Sequence, residues 1–315
     1  MKRTILILVC VALVFGMCIG CADRRAEDGT LRIVTTVFPL YDWVREIVGD
    51  QRADITMLLD SGVDLHSYQP TAEDMLKISD CDILVFIGGE SDAWVQDVLK
   101  NSANDNRKIV NLLEILGDAA KQEETVEGMQ AEQTEEPEAD EHIWLSLKNA
   151  QIFCQSIAAV LQQADSEHAD GYQEHADAYV QKLTELDQRY EKVCKEAPCK
   201  TLLFADRFPF RYLVDDYGLQ YYAAFSGCSA ETEASFETVS FLAGKVDALG
   251  LKSVITLEGS DQKIASTILQ NTKDKNQMIL SLDSMQSITG SDAQNGVTYL
   301  SVMEKNLEVL KQALA

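Results

Sequence analysis

One helix constrains this chain more than any other feature. Tyr172, Ala176, Tyr179, Leu183, Leu186, Tyr190 and Val193 recur at alternating intervals of four and three. Only an α-helix, with 3.6 residues per turn, brings such positions onto one face. The stripe predicts an unbroken helix within residues 166–196, and its portion from 170 to 195 would span about 39 Å at 1.5 Å per residue. An apolar face that long must be covered along its whole length. The helix is therefore expected to lie against both the segment before it and the segment after it.

Those two segments carry the same pattern. Before the helix, Leu31–Thr36, Ile55–Leu59, Ile83–Ile87 and Ile109-Val110 read as strands. Tyr41–Val48, Ala72–Ile78 and Trp94–Leu99 between them read as helices. Ile83-Leu84-Val85-Phe86-Ile87 has no polar alternation, as expected of a parallel strand buried on both faces. After the helix, strands are expected at Thr201–Phe204, Leu219–Ala224, Ser253–Leu257 and Met278–Leu282. Helices are expected at Phe236–Leu249, 261–271 and Val297–Leu314. Strands alternating with helices indicate parallel sheets covered by helices. The expected class is α/β, with two (β/α)4-like lobes, residues 30–165 and 197–315, joined by the long helix 166–196.

Residues 121–141 break the pattern. They hold nine carboxylates, one lysine and no aromatic residue. Such a segment lacks the apolar surface to fold, so a mobile acidic loop is expected. It could gather cations weakly or be simply a solvated surface loop. The whole chain is acidic, 51 Asp and Glu against 27 Lys and Arg. That balance repels phosphate backbones and excludes nucleic acid as a partner.

The N-terminus has the form of an export signal. Lys2 and Arg3 precede an apolar run from Ile5 to Ile19, too short for a comfortable membrane span. It ends in Cys18-Ile19-Gly20-Cys21, which resembles a bacterial lipobox with Cys21 as the lipidated residue. Residues 1–20 would be removed, and 21–29 would tether the protein to the outer face of the cell membrane. Of the eight cysteines, Cys81, Cys154, Cys194, Cys199 and Cys228 then remain besides Cys21. An odd number leaves at least one thiol unpaired. Cys194 and Cys199 are close enough in sequence for a small disulfide loop. Cys81 and Cys154 lie in apolar patterns and read as core.

Two of the four histidines sit in strand-to-helix loops, where open α/β sheets bind ligands. They are His66, in Asp64-Leu65-His66-Ser67-Tyr68-Gln69-Pro70-Thr71, and His142, in His142-Ile143-Trp144-Leu145-Ser146-Leu147-Lys148-Asn149-Ala150. Neutral imidazole is a ligand for zinc and other transition metals. His168 and His175 are one heptad apart rather than i, i+4, and read as solvated helix residues.

The two histidine phrases resemble those of the metal-binding lipoproteins of zinc and manganese ABC importers. In that family they run Pro-His-x-Tyr-Glu-Pro-Thr and Asp-Pro-His-x-Trp-Leu-Asp-Pro-x-Asn-Ala. Here Leu65, Gln69, Glu141 and Ser146-Leu147 replace the family residues, and the likeness extends from Ile33 to the C-terminal helix. The resemblance implies a rigid linking helix and a metal in the interdomain cleft, held by His66 and His142 from the first lobe. The family's third ligand precedes a Tyr-Gly-Leu phrase. Counting back from Tyr217-Gly218-Leu219 puts Arg207 there, and a guanidinium cannot ligate a metal. Asp206, one residue earlier, is the substitute expected, though an ion pair with Arg207 or Arg211 is the competing role. Asp283 in Leu282-Asp283 matches the fourth ligand, and Glu258 on the same sheet edge is the alternative.

The function implied is an extracytoplasmic, monomeric solute-binding lipoprotein. It would deliver zinc, or alternatively manganese, to an ABC permease and its ATPase. A metal enzyme or an adhesin-like surface lipoprotein is the reading from another class. The sequence has no His-Glu-x-x-His pair, nucleophile elbow or phosphate-cradling glycine loop, which weighs against an enzyme.

Overall fold

The computed structural model describes residues 30–50, 53–100, 104, 106–130, 138–229 and 233–315. The expected signal 1–20, the lipid site Cys21 and the tether 21–29 lie outside the described residues. Among the described residues no helix is long and apolar enough to cross a membrane.

Two four-stranded parallel sheets form the frame. The first has the order β2-β1-β3-β4, from β1 (Leu31–Thr35), β2 (Ala53–Met57), β3 (Ile83–Phe86) and β4 (Lys108–Asn111). The second repeats that order as β6-β5-β7-β8, from β5 (Thr201–Phe208), β6 (Gln220–Ser226), β7 (Ser253–Leu257) and β8 (Met278–Leu282). The apolar run at 83–86 is the interior strand β3, buried at every position. Its ladder to β1 pairs Ile33 with Ile83 and Thr35 with Val85.

Connecting helices cover the first sheet: α1 (Phe38–Val48), α2 (Ala72–Asp80), α3 (Ala93–Lys100), α4 (Leu112–Leu116) and α5 (Leu147–Ala164). Their starts follow capping chemistry: Thr71 and Asp74 close a reciprocal capping box on α2, and Ser146 caps α5 through the Asn149 N–H. The linking helix α6 runs Ala169–Glu196, after a one-turn 3-10 segment at Ser166–His168. At 1.5 Å per residue its 28 residues extend about 42 Å. Tyr172, Ala176, Tyr179, Leu183, Leu186 and Tyr190 are buried, as their spacing requires. The stripe ends on Cys194 rather than Val193, because a 3.6-residue turn drifts against a strict four-three repeat. Cys194 is thus a core thiol and, like Cys199, is unbridged. Cys81 and Cys154 are core thiols as well.

The second sheet carries α7 (Arg211–Asp216), α8 (Phe236–Leu249), α9 (Lys263–Gln270), α10 (Gly290–Gln294) and α11 (Tyr299–Ala313). Tyr299, at the start of α11, stitches the halves together. Its N–H donates to Asp42 of α1 at 2.8 Å, and its hydroxyl donates to the Trp144 carbonyl at 2.6 Å. Its ring meets Trp43 edge-on at 5.1 Å. One apolar cluster accordingly runs from Leu31 and Trp43 through the α6 stripe to Tyr299 and Leu314.

Two expectations change. His175 is not simply solvated: its Nδ1 lies 3.1 Å from the Ile47 carbonyl, and its ring packs on Gly49. A Cβ at Gly49 would fall 2.3 Å from that ring, and its φ is +58°, so the α1 terminus requires glycine. His168 pairs with Asp165 at 2.7 Å. The flanks of the acidic segment are also not free. Gln122 bridges Ala139, Gln130 bridges Phe225 of β6, and Met129 is buried. Composition missed this because the hydrogen bonds are main-chain ones, which carry no side-chain signature. Residues 131–137 lie outside the described residues.

Candidate metal centre

His66 stands on a 3-10 turn, Leu65–Ser67, between β2 and α2. Asp64 caps that turn, accepting the His66 N–H at 3.0 Å. Its other oxygen meets Arg207 of β5 at 2.7 Å, an ion pair across the cleft. Burial pushes the Asp64 carboxyl up, but the guanidinium and the His66 N–H together outweigh it and the group titrates below its usual range. The His66 Nδ1 lies 2.8 Å from Ser91 Oγ and 3.8 Å from Glu141 Oε2. Burial first, then His142 and Arg207, pull the His66 imidazole down to about 4, so it is neutral at neutral pH.

His142 is fully buried just before the turn Ile143–Leu145. Asp140 accepts its backbone N–H at 2.9 Å and lies 3.1 Å from its Nδ1 through the same oxygen. A carboxylate only accepts here, so Nδ1 carries the proton and Nε2 presents a lone pair. The two Nε2 atoms face each other at 3.3 Å. Two nitrogens each 2.0–2.1 Å from one tetrahedral zinc would be about 3.3 Å apart. The histidines are therefore already spaced for such an ion.

A third donor joins them. Cys228, two residues beyond β6, places its Sγ within 4.8 Å of ligand nitrogens of both histidines. Gly227 permits the approach: a Cβ there would lie 3.0 Å from His142 Cε1 and 2.9 Å from the Phe208 carbonyl. The Cys228 N–H donates to Glu123 at 2.9 Å, so the acidic segment pins this loop. Burial, then the Glu123 carboxylate, push the thiol up.

The acids expected from the second lobe are placed differently. Among the described residues, Asp206, Glu258 and Asp283 do not belong to the group of converging donors. Asp206 accepts the Arg207 N–H at 2.9 Å and the Leu257 N–H at 3.2 Å. It joins β5 to β7 where a bulge between Phe204 and Arg207 interrupts the strand. Glu258 lines the cleft and takes both the Ser284 N–H, at 2.8 Å, and its hydroxyl, at 2.6 Å. Burial and neighbouring Asp283 push Glu258 up to about 7. Asp283 does not line the cleft, and its carboxylate accepts the Met285 N–H at 2.8 Å. The cleft encloses about 650 Å³, far more than an ion fills, and His66 and Cys228 are both on its wall.

Cys228 had a sequence signal that residue spacing alone did not weigh. It is a cysteine next to glycine at the carboxyl end of a parallel strand, the sheet edge where ligands bind.

The chain matches the family model described as zinc-uptake complex component A, periplasmic, over residues 33–313. The zinc-binding lipoprotein AdcA of Streptococcus pneumoniae is 30% identical over 99% of the chain, which spans 61% of that relative's length. The high-affinity zinc uptake system protein ZnuA of Bacillus subtilis is 27% identical over 94% of the chain and 90% of its own length. The Zn(II)-bound ZnuA-like domain of S. pneumoniae AdcA superposes with a TM-score of 0.73 at 29% identity, covering 91% of this chain and 99% of that domain. The metal-dependent lipoprotein YcdH of B. subtilis gives 0.75 at 25% identity, covering 91% and 100%. With nearly the whole described chain matched, two parallel sheets on one long helix, and paired imidazoles between them, the chain belongs to the family of periplasmic zinc-uptake component A proteins.

Proposed function

We propose that the chain captures zinc outside the cytoplasm and hands it to an ABC permease driven by its ATPase. Lipid on Cys21 holds it at the membrane, and it works as a monomeric binding protein rather than an enzyme. The observation that carries this reading is the 3.3 Å separation of the His66 and His142 Nε2 atoms, with Asp140 holding the His142 proton on Nδ1 so that its Nε2 is free to ligate. The family's zinc-named relatives point to the same ion. Manganese prefers six oxygen-rich ligands and fits the paired imidazoles less well.

The test is calorimetric titration of metal-free protein with zinc and with manganese, alongside elemental analysis of protein from its own cell envelope. Zinc binds at one equivalent, and His66→Ala and His142→Ala each abolish that site. Normal zinc binding by both variants would overturn the reading at its root.

A further inference from the structure

Arg207 occupies the place from which the second lobe would be expected to offer its nitrogen ligand, and it is spent on Asp64 at 2.7 Å. Asp206 beside it is spent on two backbone N–H groups. Among the described residues, neither converges with His66 and His142, and Cys228 is the residue of that lobe whose donor atom does. The surroundings are built for that approach. Gly227 lies against the His142 ring where a Cβ would collide, and Glu123 fixes the Cys228 backbone.

We propose that Cys228 is the third protein ligand, so that the cargo is held by two imidazoles and one thiolate. The inference rests on the zinc-capture reading and narrows its substrate class. Zinc–sulfur bonds are about 2.3 Å and zinc–nitrogen bonds about 2.0–2.1 Å, so a tetrahedral ion sets sulfur about 3.5 Å from each nitrogen. The Sγ, already within 4.8 Å of those nitrogens, closes that gap by a small shift of its loop. A Zn–S bond forms as the S–H bond breaks, and the proton leaves to the surrounding buffer. Three protein ligands leave one coordination position for water from the open cleft. A thiolate donor favours zinc and other thiophilic ions and rejects manganese, whose partners are carboxylate, carbonyl and water.

The experiment uses the chain from Ala22 onward, metal-free and reduced, titrated with cobalt(II) as a spectroscopic stand-in and with zinc by calorimetry. Wild type should show the near-ultraviolet thiolate-to-cobalt charge-transfer band together with intense tetrahedral visible bands. Cys228→Ser should lose the charge-transfer band although Cys81, Cys154, Cys194 and Cys199 remain. Its zinc affinity should fall by more than the roughly 10–100-fold that removal of an outer-shell partner costs. Cys228→His should recover zinc binding without the charge-transfer band, which separates ligation from a folding defect. If wild type binds cobalt and zinc without a thiolate band, and Cys228→Ser binds zinc equally well, Cys228 is not a ligand while zinc capture stands. If wild type binds neither metal, the capture reading falls and this inference with it.

Discussion

The Arg207–Asp64 ion pair should hold the lobes together measurably even without metal. The atoms are 2.7 Å apart and each side chain is about a quarter exposed. At an effective permittivity of about 20 and a charge separation of about 4 Å, the attraction is roughly 4 kcal/mol. Against that stand the desolvation of both ions and the fixing of a long arginine side chain, which costs up to about 2 kcal/mol. Fully exposed pairs contribute about 0.2–1 kcal/mol, so a partly screened one should retain about 1–2 kcal/mol. The perturbation is a double-mutant cycle of Arg207→Met, Asp64→Asn and the double variant, read by urea unfolding of the metal-free chain. Asn at 64 keeps an oxygen for the His66 N–H, so the cycle isolates the pair. The pH dependence follows from the depressed Asp64 titration. A carboxyl lowered by folding stabilises above its ordinary value of about 3.9 and loses that contribution as pH falls through its lower folded value. Coupling should therefore be full at pH 7, diminish toward pH 3, and shrink in 1 M salt, where the Debye length is about 3 Å. A coupling below about 0.3 kcal/mol at low salt and pH 7 would refute the view that this pair fastens the cleft.

Three further outcomes are expected. Asp206→Ala should leave zinc stoichiometry at one while lowering stability by about 1–3 kcal/mol, because two strand-end N–H groups lose their acceptor; calorimetry and urea unfolding check the two halves of that statement. Deleting residues 122–139 should lower both thermal stability and zinc affinity, since it removes buried Met129, the Gln130 pairing with β6 and the Glu123 hold on Cys228; an unchanged melting temperature would show these contacts to be inert. Asp92 is buried, accepts the Ile87 and Gly88 N–H groups, and is pushed up to about 7 by burial. An acid raised by folding binds a proton in the native state that the unfolded chain releases, so its contribution declines as pH rises from about 4 to 7. Asp92→Asn should flatten that decline, seen in urea midpoints at pH 5 and pH 7.5.

Much of the frame was legible because each element declares itself locally. The unbroken apolar run at 83–86, the Thr71 capping box and the four-three stripe of α6 each fix a type of structure within a few residues. The paired histidines were legible because their phrases are distinctive; His66 does lie in the loop from β2 to α2, whereas His142 lies in the connection from α4 to α5 rather than in a strand-to-helix loop. The convergence of Cys228 with the histidines was harder to see, because it depends on which side chains a loop turns inward. A bulge in β5 turns Asp206 to the β7 backbone, and Gly227 brings in a cysteine some twenty positions downstream. The ordered stems of the acidic segment were hidden for a related reason. Charge density describes solubility, whereas Gln122, Glu123 and Gln130 are held through their main-chain N–H and carbonyl groups.

Tyr299 and the α6 stripe place both walls of the cleft on one continuous core. Walls mounted on a common core cannot swing apart as jaws do without exposing Trp43 and Tyr299 to water, and burial of such side chains is worth several kcal/mol. For an ion captured as proposed, the residence time would then be governed by short loops at the mouth: the Leu65–Ser67 turn, the Gly227–Cys228 loop and the pinned stem at Glu123. A membrane partner that unloads this protein would need to loosen only those loops, leaving the sheets and the long helix undisturbed through each round of delivery.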